Sequence, residues 1–332
     1  MAAANLKFDM HVIGSQYRSW SALRDEVRCL EAAGIGTVWL GDGYADPPHP
    51  VVLEAWTALA ALATQTTRVR LGTMVSDLAL RHPAMLAKQA ATVDCLCAGR
   101  LDLGVGSGGY QQQSEADWLG LPMLTPGGRV DRLREAVEVI DELLRGRQLS
   151  HHGAHYRLKQ APLTPLPVQQ PRPPLCIAAD GKRALQLVAE RAEVWITGAW
   201  GETTDLALQS VRERKCLLDA YCNALNRDPA TVECACLIGW DKPEVPFASA
   251  AAFDDVVGRY REAGVQRFVF LAGSPEMPDP FGSWVASGAW ASRDALDAFA
   301  AQAMADLRRS DSGRAAVGPP GGGQAAMLPG GP

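Results

Sequence analysis

The 332-residue chain has no run of apolar residues long enough to span a bilayer, and its first residues carry no charged leader followed by an apolar stretch. A cytoplasmic protein is therefore expected. It also lacks an excess of positive charge: 32 Lys and Arg stand against 37 Asp and Glu, for a net charge of −5. Nucleic acid and anionic membrane surfaces are poor partners for such a chain. No internal repeat is present, and none of the 8 cysteines forms a C-x-x-C pair. Cys29, Cys95, Cys97, Cys176, Cys216, Cys222, Cys234 and Cys236 fall mostly inside helical or strand patterns, which reads as reduced, packed thiols rather than a disulfide framework or zinc site. Histidines are scarce. His151, His152 and His155 sit together on a predicted surface hairpin without a cysteine or a well-spaced carboxylate, so no metal site is expected there.

What the chain does have is a regular alternation of short apolar runs with longer segments of helical period. Strands are expected at 6–12, 37–40, 69–75, 101–105, 175–179, 194–197, 232–239 and 267–271. Helices fall between them: one capped by Ser19 and stopped by Gly34, one opened by Pro50 and running to Ala63, and one from Pro83 to about Leu96. A long one follows from near Arg129, then Lys182–Arg191, Thr204–Asn226, Phe253–Ala263 and Arg293–Arg309. Strands separated by helices pair in parallel, and eight such units close a (β/α)8 TIM barrel, with an open doubly wound sheet as the alternative. Residues 149–174 break the alternation and predict a hairpin with an extended proline-rich connector, inserted between the fourth and fifth strands. A single domain over 1–309 is expected, and 310–332, rich in Gly, Pro and Ala, reads as a disordered tail.

In a closed parallel barrel the chemistry sits at the carboxyl ends of the strands. The fourth strand ends in Gly104-Val105-Gly106-Ser107-Gly108-Gly109-Tyr110, whose glycines would let backbone approach a flat ring or a phosphate. Gly104, Gly106 and Gly109 have the spacing of a dinucleotide fingerprint, but no strong helix follows for some twenty residues, so a Rossmann site is rejected. The fifth strand hands over to a helix through Ala179-Asp180-Gly181-Lys182. Free N–H groups there suit a phosphate, with Asp180 serving simply as N-cap in the blander reading. His82, ahead of Pro83, reads as a helix-entry residue. Trp39, Trp56 and Trp195 read as core, while Tyr44, Trp118 and Trp200 fall at rim positions and are candidates for contact with a substrate.

At these residues the sequence resembles the bacterial luciferase-like monooxygenase family, which includes many members using the deazaflavin coenzyme F420. The strongest blocks are Glu31-Ala32-Ala33-Gly34, Thr37-Val38-Trp39-Leu40, Glu54–Leu62, Val69–Val75, Arg81-His82-Pro83-Ala84 and Gly99-Arg100-Leu101. Gly120-Leu121-Pro122 and Pro171–Leu175 also fit, so the likeness runs from Leu6 to about Leu271. The resemblance implies a tricyclic redox ring lying over the end of the third strand, at Thr73, Met74 and Val75, with a cis peptide between the last two. It implies a phosphate held by Ala179, Asp180, Gly181, Lys182 and Arg129. Asp42, Gly106, Ser107, Gly108, Tyr110 and Thr197 would border the cofactor. Many relatives carry a histidine directly after the residue matching Asp42, where this chain has Gly43. Some deazaflavin sugar-phosphate dehydrogenases carry a glutamate where it has Gly109. His11 and His49 are the substitutes expected for acid–base work.

The leading expectation is a two-component monooxygenase, with reduced FMN from a separate flavin reductase, oxygen and a small organic substrate. The alternative is an F420-dependent oxidoreductase passing hydride to or from a small molecule, and a third is a flavin-binding barrel without catalysis. The resemblance also implies a homodimer.

Overall fold

The computed structural model describes residues 6–12, 19–45, 53–108, 112–239, 244–272 and 290–291. His49, Tyr110, the expected helix over 293–309 and the tail over 310–332 lie outside these residues.

Local signals in the chain set the elements. Strand β1 (Lys7–Val12) is followed by helix α1 (Trp20–Ala32), where the Ser19 hydroxyl accepts from the Ala22 N–H at 3.2 Å and Leu23, Val27 and Leu30 make the buried stripe. Gly34, at φ +85°, turns the chain out of that helix into β2 (Thr37–Leu40). Helix α2 (Ala55–Ala63) begins later than the proline suggested. Its cap is Glu54, whose carboxylate accepts from the N–H groups of Trp56 and Thr57, a stronger start signal than Pro50.

The third expected strand is two pieces, β3 (Arg70–Thr73) and β4 (Ser76–Asp77), and α3 (Pro83–Leu96) follows. His82 caps α3, its Nδ1 accepting from the Ala84 N–H at 3.2 Å, as a helix-entry residue would. After β5 (Leu101–Gly106) comes a short helix, α4 (Gln112–Leu119), before the long α5 (Pro126–Leu144) with its Thr125 cap. The insertion is an antiparallel hairpin, β6 (Leu149–His152) and β7 (Arg157–Ala161). Glu135 of α5 pins it by accepting from the N–H groups of His155 and Tyr156 and facing His151 Nε2. Alternation then resumes with β8 (Leu175–Ala178), α6 (Lys182–Arg191), β9 (Val194–Gly198), α7 (Thr204–Ala224), β10 (Glu233–Leu237), α8 (Ala250–Glu262) and β11 (Arg267–Ala272). A two-residue strand, β12 (Trp290–Ala291), adds to the end of β11.

The parallel sheet runs β1-β2-β3-β5-β8-β9-β10-β11, and β11 pairs back onto β1 from Lys7↔Arg267 to Val12↔Ala272. With β4 continuing β3, this is a closed eight-stave barrel wrapped by helices, the (β/α)8 fold. Outward residues of the staves pack against the helices; inward ones fill the cylinder. Its middle layer is Trp39, Cys176, Val194, Ile196, Ala235, Leu237, Val269 and Leu271.

The floor is ionic. Arg267 donates from Nε to Asp9 Oδ2 (2.8 Å) and from Nη2 to Thr37 Oγ1 (2.5 Å) and Asp102 Oδ2 (2.7 Å), and lies over the Trp39 ring. Trp39 Nε1 donates to Asp9, and Arg70 closes the other side of Asp102. Burial of Asp102 works against its charge, but Arg267 and Arg70 outweigh that and hold its carboxyl below the usual range.

Candidate active site at the barrel mouth

Between Gly72, opposite Asp102, and Ser76, opposite Val105, the third stave carries three residues, Thr73, Met74 and Val75, against two on β5. This is a bulge. The Met74–Val75 peptide within it is cis, at the position that the resemblance implied. Thr73 Oγ1 locks the bulge by donating to Gly104 O (2.9 Å) and sharing a hydrogen bond with Ser76 Oγ (2.8 Å).

The bulge explains the glycines beside it. A Cβ on Gly104 would stand 1.8 Å from Thr73 O, and one on Gly106 would stand 2.7 Å from Val75 Cγ2. Their lack of side chains makes room for the neighbouring stave, a structural reason for these glycines beside the ligand approach expected from the sequence. Ser107 and Gly108 continue from there to the rim, Gly108 at φ +80°.

The apolar lining of the mouth is Met74, Val75, Ala178 and Trp200, all packed on the middle layer of the barrel. His11 lies inward on β1 near Gly41, 5 % exposed, and burial pulls its imidazole down to about 4. At neutral pH its imidazole is therefore uncharged.

Asp180 does not cap α6. The cap is Gly181, which offers no side chain, and a Cβ there would meet nothing. Asp180 instead accepts from Thr197 Oγ1 (2.8 Å) and Trp200 Nε1 (2.9 Å) and pairs with Arg214 of α7. Arg214 also reaches Gly198 O, fixing the end of β9. The Trp200 ring lies where a side chain at 198 would be, with a Cβ there only 2.1 Å from Cζ2. Trp200 is thus held at both its nitrogen and its face. Ala179 is buried, its carbonyl accepting from Trp195 Nε1.

Because Asp180 is engaged elsewhere, the first turn of α6 has no side-chain cap, and its N–H groups and dipole are open to an anion. Lys182 is exposed at that end. Arg183 bridges to the first turn of α5 through Gly127 O and Asp131, so two helix N-termini stand together. Arg129, on α5, gives one hydrogen bond to Leu124 O, and its buried Nε has no partner among the described residues. A phosphate-bearing planar cofactor fits these residues: an uncapped helix start, an arginine with an unused donor and an apolar shelf at the bulge.

After β2, Asp42 is an ion-pair partner. It accepts from the Asp77 N–H (2.8 Å) and from Arg81. Tyr44, 57 % exposed, and Trp118, 53 % exposed and on α4 rather than in a loop, stand at the surface. Sequence reasoning placed Arg183 at the start of α6 and missed Arg214 and Glu115. The signal for α4, which carries Glu115, was that the run Tyr110–Leu119 contains neither glycine nor proline.

Residues 5–215 match the profile of the family described as luciferase-like monooxygenase. The chain belongs to that family. It is 32 % identical over 169 residues to the oxygenase component of a flavin-dependent trigonelline monooxygenase from Acinetobacter baylyi, covering 50 % of this chain and 46 % of that protein. It is 35 % identical over 160 residues to an F420-dependent glucose-6-phosphate dehydrogenase from Microbacterium testaceum, covering 48 % and 44 %. The chain thus spans about half the length of these curated relatives. Among solved structures, its fold is like that of the coenzyme F420-dependent tetrahydromethanopterin reductase from Methanopyrus kandleri, with a TM-score of 0.71 at 16 % identity over 90 % of this chain and 98 % of that one.

Proposed function

We propose that this protein is an oxidoreductase of the two-component monooxygenase type, taking reduced FMN from a separate flavin reductase and acting with oxygen on a small organic substrate. The observation that carries this reading is the apolar lining of the mouth among the described residues: Met74, Val75, Ala178 and Trp200, with a neutral histidine near them. Such a surface keeps water away from a reactive centre while offering no ionised proton donor of its own.

The residues divide the work. Gly181, Lys182 and Arg129 are assigned to the phosphate, the bulge at Thr73, Met74 and Val75 supports the ring, and Thr197, Ser107 and Gly108 border it. Trp200, fixed by Asp180 and Gly198, presents an aromatic wall to the substrate, with Tyr44 and Trp118 at the entrance. A bound reduced flavin supplies the electrons for oxygen activation; a bound deazaflavin would supply hydride instead. The second reading, F420-dependent hydride transfer, is favoured by the identity with the Microbacterium testaceum dehydrogenase.

Anaerobic fluorescence titration with reduced FMN and then with reduced F420 decides between them. Tight binding of reduced FMN, followed by oxygen consumption in the complex, is expected; binding of F420 alone overturns the monooxygenase reading. Arg129→Ala removes a charge-assisted contact of about 1.5–3 kcal/mol and should weaken cofactor binding by roughly 10- to 100-fold. Unchanged affinity would refute the role given to Arg129.

A further inference from the structure

Met74, Val75, Ala178 and Trp200 give the mouth an apolar lining, and one carboxyl beside it is placed to carry a proton. Glu115, on α4, is 9 % exposed. Its Oε1 accepts from the Tyr44 N–H at 2.8 Å, and a Cβ on Gly43 would come within 3.1 Å of that oxygen. The carboxyl thus occupies the space that a side chain at 43 would need. Its Oε2 takes no hydrogen bond from any described residue. Glu115 also lines a rim cavity with Asp77, Leu80, Leu121, Arg129 and Arg132.

The charged groups facing it are Asp42 after β2, Asp77 on β4, and Arg129 and Arg132 on α5, with Arg81 bound to Asp42. Burial pushes the Glu115 carboxyl up, against the Tyr44 and Ala45 N–H groups, and the charges of Asp77 and Asp42 push it further. Asp77 is also raised by burial and likewise has one oxygen engaged, Oδ1 on the Ala79 N–H, but the charges of Arg132 and Arg81 oppose the rise at Asp77, whereas both charges acting on Glu115 favour its protonated form.

We propose that Glu115 is the proton-holding group of this site: its carboxyl takes up a proton as an anionic cofactor binds and gives it to the substrate during turnover. In the second step the Oε2–H bond breaks and the proton moves to an oxygen or nitrogen gaining negative charge. The carboxylate left behind is reprotonated by water through the rim cavity, with no change of oxidation state at Glu115. The inference rests on the reading of the mouth as a flavin or deazaflavin site.

Calorimetry of anaerobic reduced-FMN binding near neutral pH, in two buffers of different ionisation enthalpy, tests it. Wild-type protein should take up a fraction of a proton per cofactor bound. Glu115→Gln keeps an amide oxygen for the Tyr44 N–H and so should fold and bind with similar affinity, but without the uptake. Glu115→Asp, which still titrates, should restore part of it, a rescue that a purely structural latch would not produce. Equal proton uptake in wild type and E115Q, or none in the wild type, overturns the proposal while leaving the cofactor assignment standing. If reduced F420 binds in place of FMN, the same experiment with F420 decides. A wild-type protein that binds neither cofactor overturns both readings.

Discussion

Gly104 and Gly106 lie two residues apart on one stave, yet substituting them should have separable consequences. An alanine at 104 places its Cβ 1.8 Å from Thr73 O, about half of an ordinary contact distance, and the opposing atom is backbone held inside the bulge by Thr73 and Ser76. Overpacking a closed core costs about 1–3 kcal/mol, occasionally more. Gly104→Ala should be at or above the top of that range, because no side-chain rotation relieves it. An alanine at 106 stands 2.7 Å from Val75 Cγ2, the end of a side chain, so a loss of about 1–2 kcal/mol is expected, and Val75→Ala in the same chain should recover part of it. Gly181→Ala is the control, since nothing lies within 4 Å of its Cβ and its φ is −89°. It should shift stability by no more than about 0.5 kcal/mol. At about 2–4 °C per kcal/mol, thermal melts at one scan rate should drop by roughly 6 °C or more for G104A and hardly at all for G181A. If G104A melts with the wild type, or if Val75→Ala rescues Gly104→Ala as well as it rescues Gly106→Ala, the account of the bulge is wrong.

Two further outcomes follow from the buried charges. His11 has its value lowered by burial from 6.5 to about 4, so between those values the unfolded chain binds a proton that the folded one does not. Its contribution is complete above pH 6.5 and is lost as pH falls toward 4, on the order of 3 kcal/mol in all. The stability difference between wild type and His11→Gln, measured by denaturant titration, should vary across that window and level off above it; a pH-independent difference refutes the assignment. Arg267→Met leaves Asp9 and Asp102 buried without their shared cation and should cost about 3–5 kcal/mol, with Asp9→Asn in the same chain restoring part. Equal stability of the single and double variants would mean that Asp9 is not held by Arg267.

The eight staves were legible because each is a short apolar run bounded by turn residues, and β11 pairs back on β1 as a barrel of eight units requires. Most caps were legible too: Ser19 and Pro83 sit where their chemistry puts them. Three features were not. The break between β3 and β4 is invisible to periodicity, because Leu71, Val75 and Leu78 keep an apolar trend across it while the register slips by one residue. Helix α4 is one face of polar residues with Ala116 beneath, too short and too weakly amphipathic to announce itself. Asp180 carries the type and place of an N-cap, and only the fold reveals that Thr197, Trp200 and Arg214 compete for it. Long-range pairings of this kind join residues up to 34 positions apart, which no local pattern encodes.

The two ends of the cylinder are linked by the period of the strand. On β1, Asp9 belongs to the ionic floor and His11, two residues on, to the upper layer; on β5, Asp102 is in the floor and Gly104 and Gly106 are the next inward positions. In an ordinary barrel of this class those two positions would carry bulky side chains that fill the cylinder. Here they carry none, and the bulge of the third stave leans into the space with backbone and with Val75. The upper layer is therefore built partly of main chain and small groups, and the shelf formed by Met74, Val75 and Ala178 exists because β5 yields its inward side chains. The residues of the ionic floor and those that make room for the bulge thus alternate along the same strands, so that a one-residue slip of β5 would remove both at once.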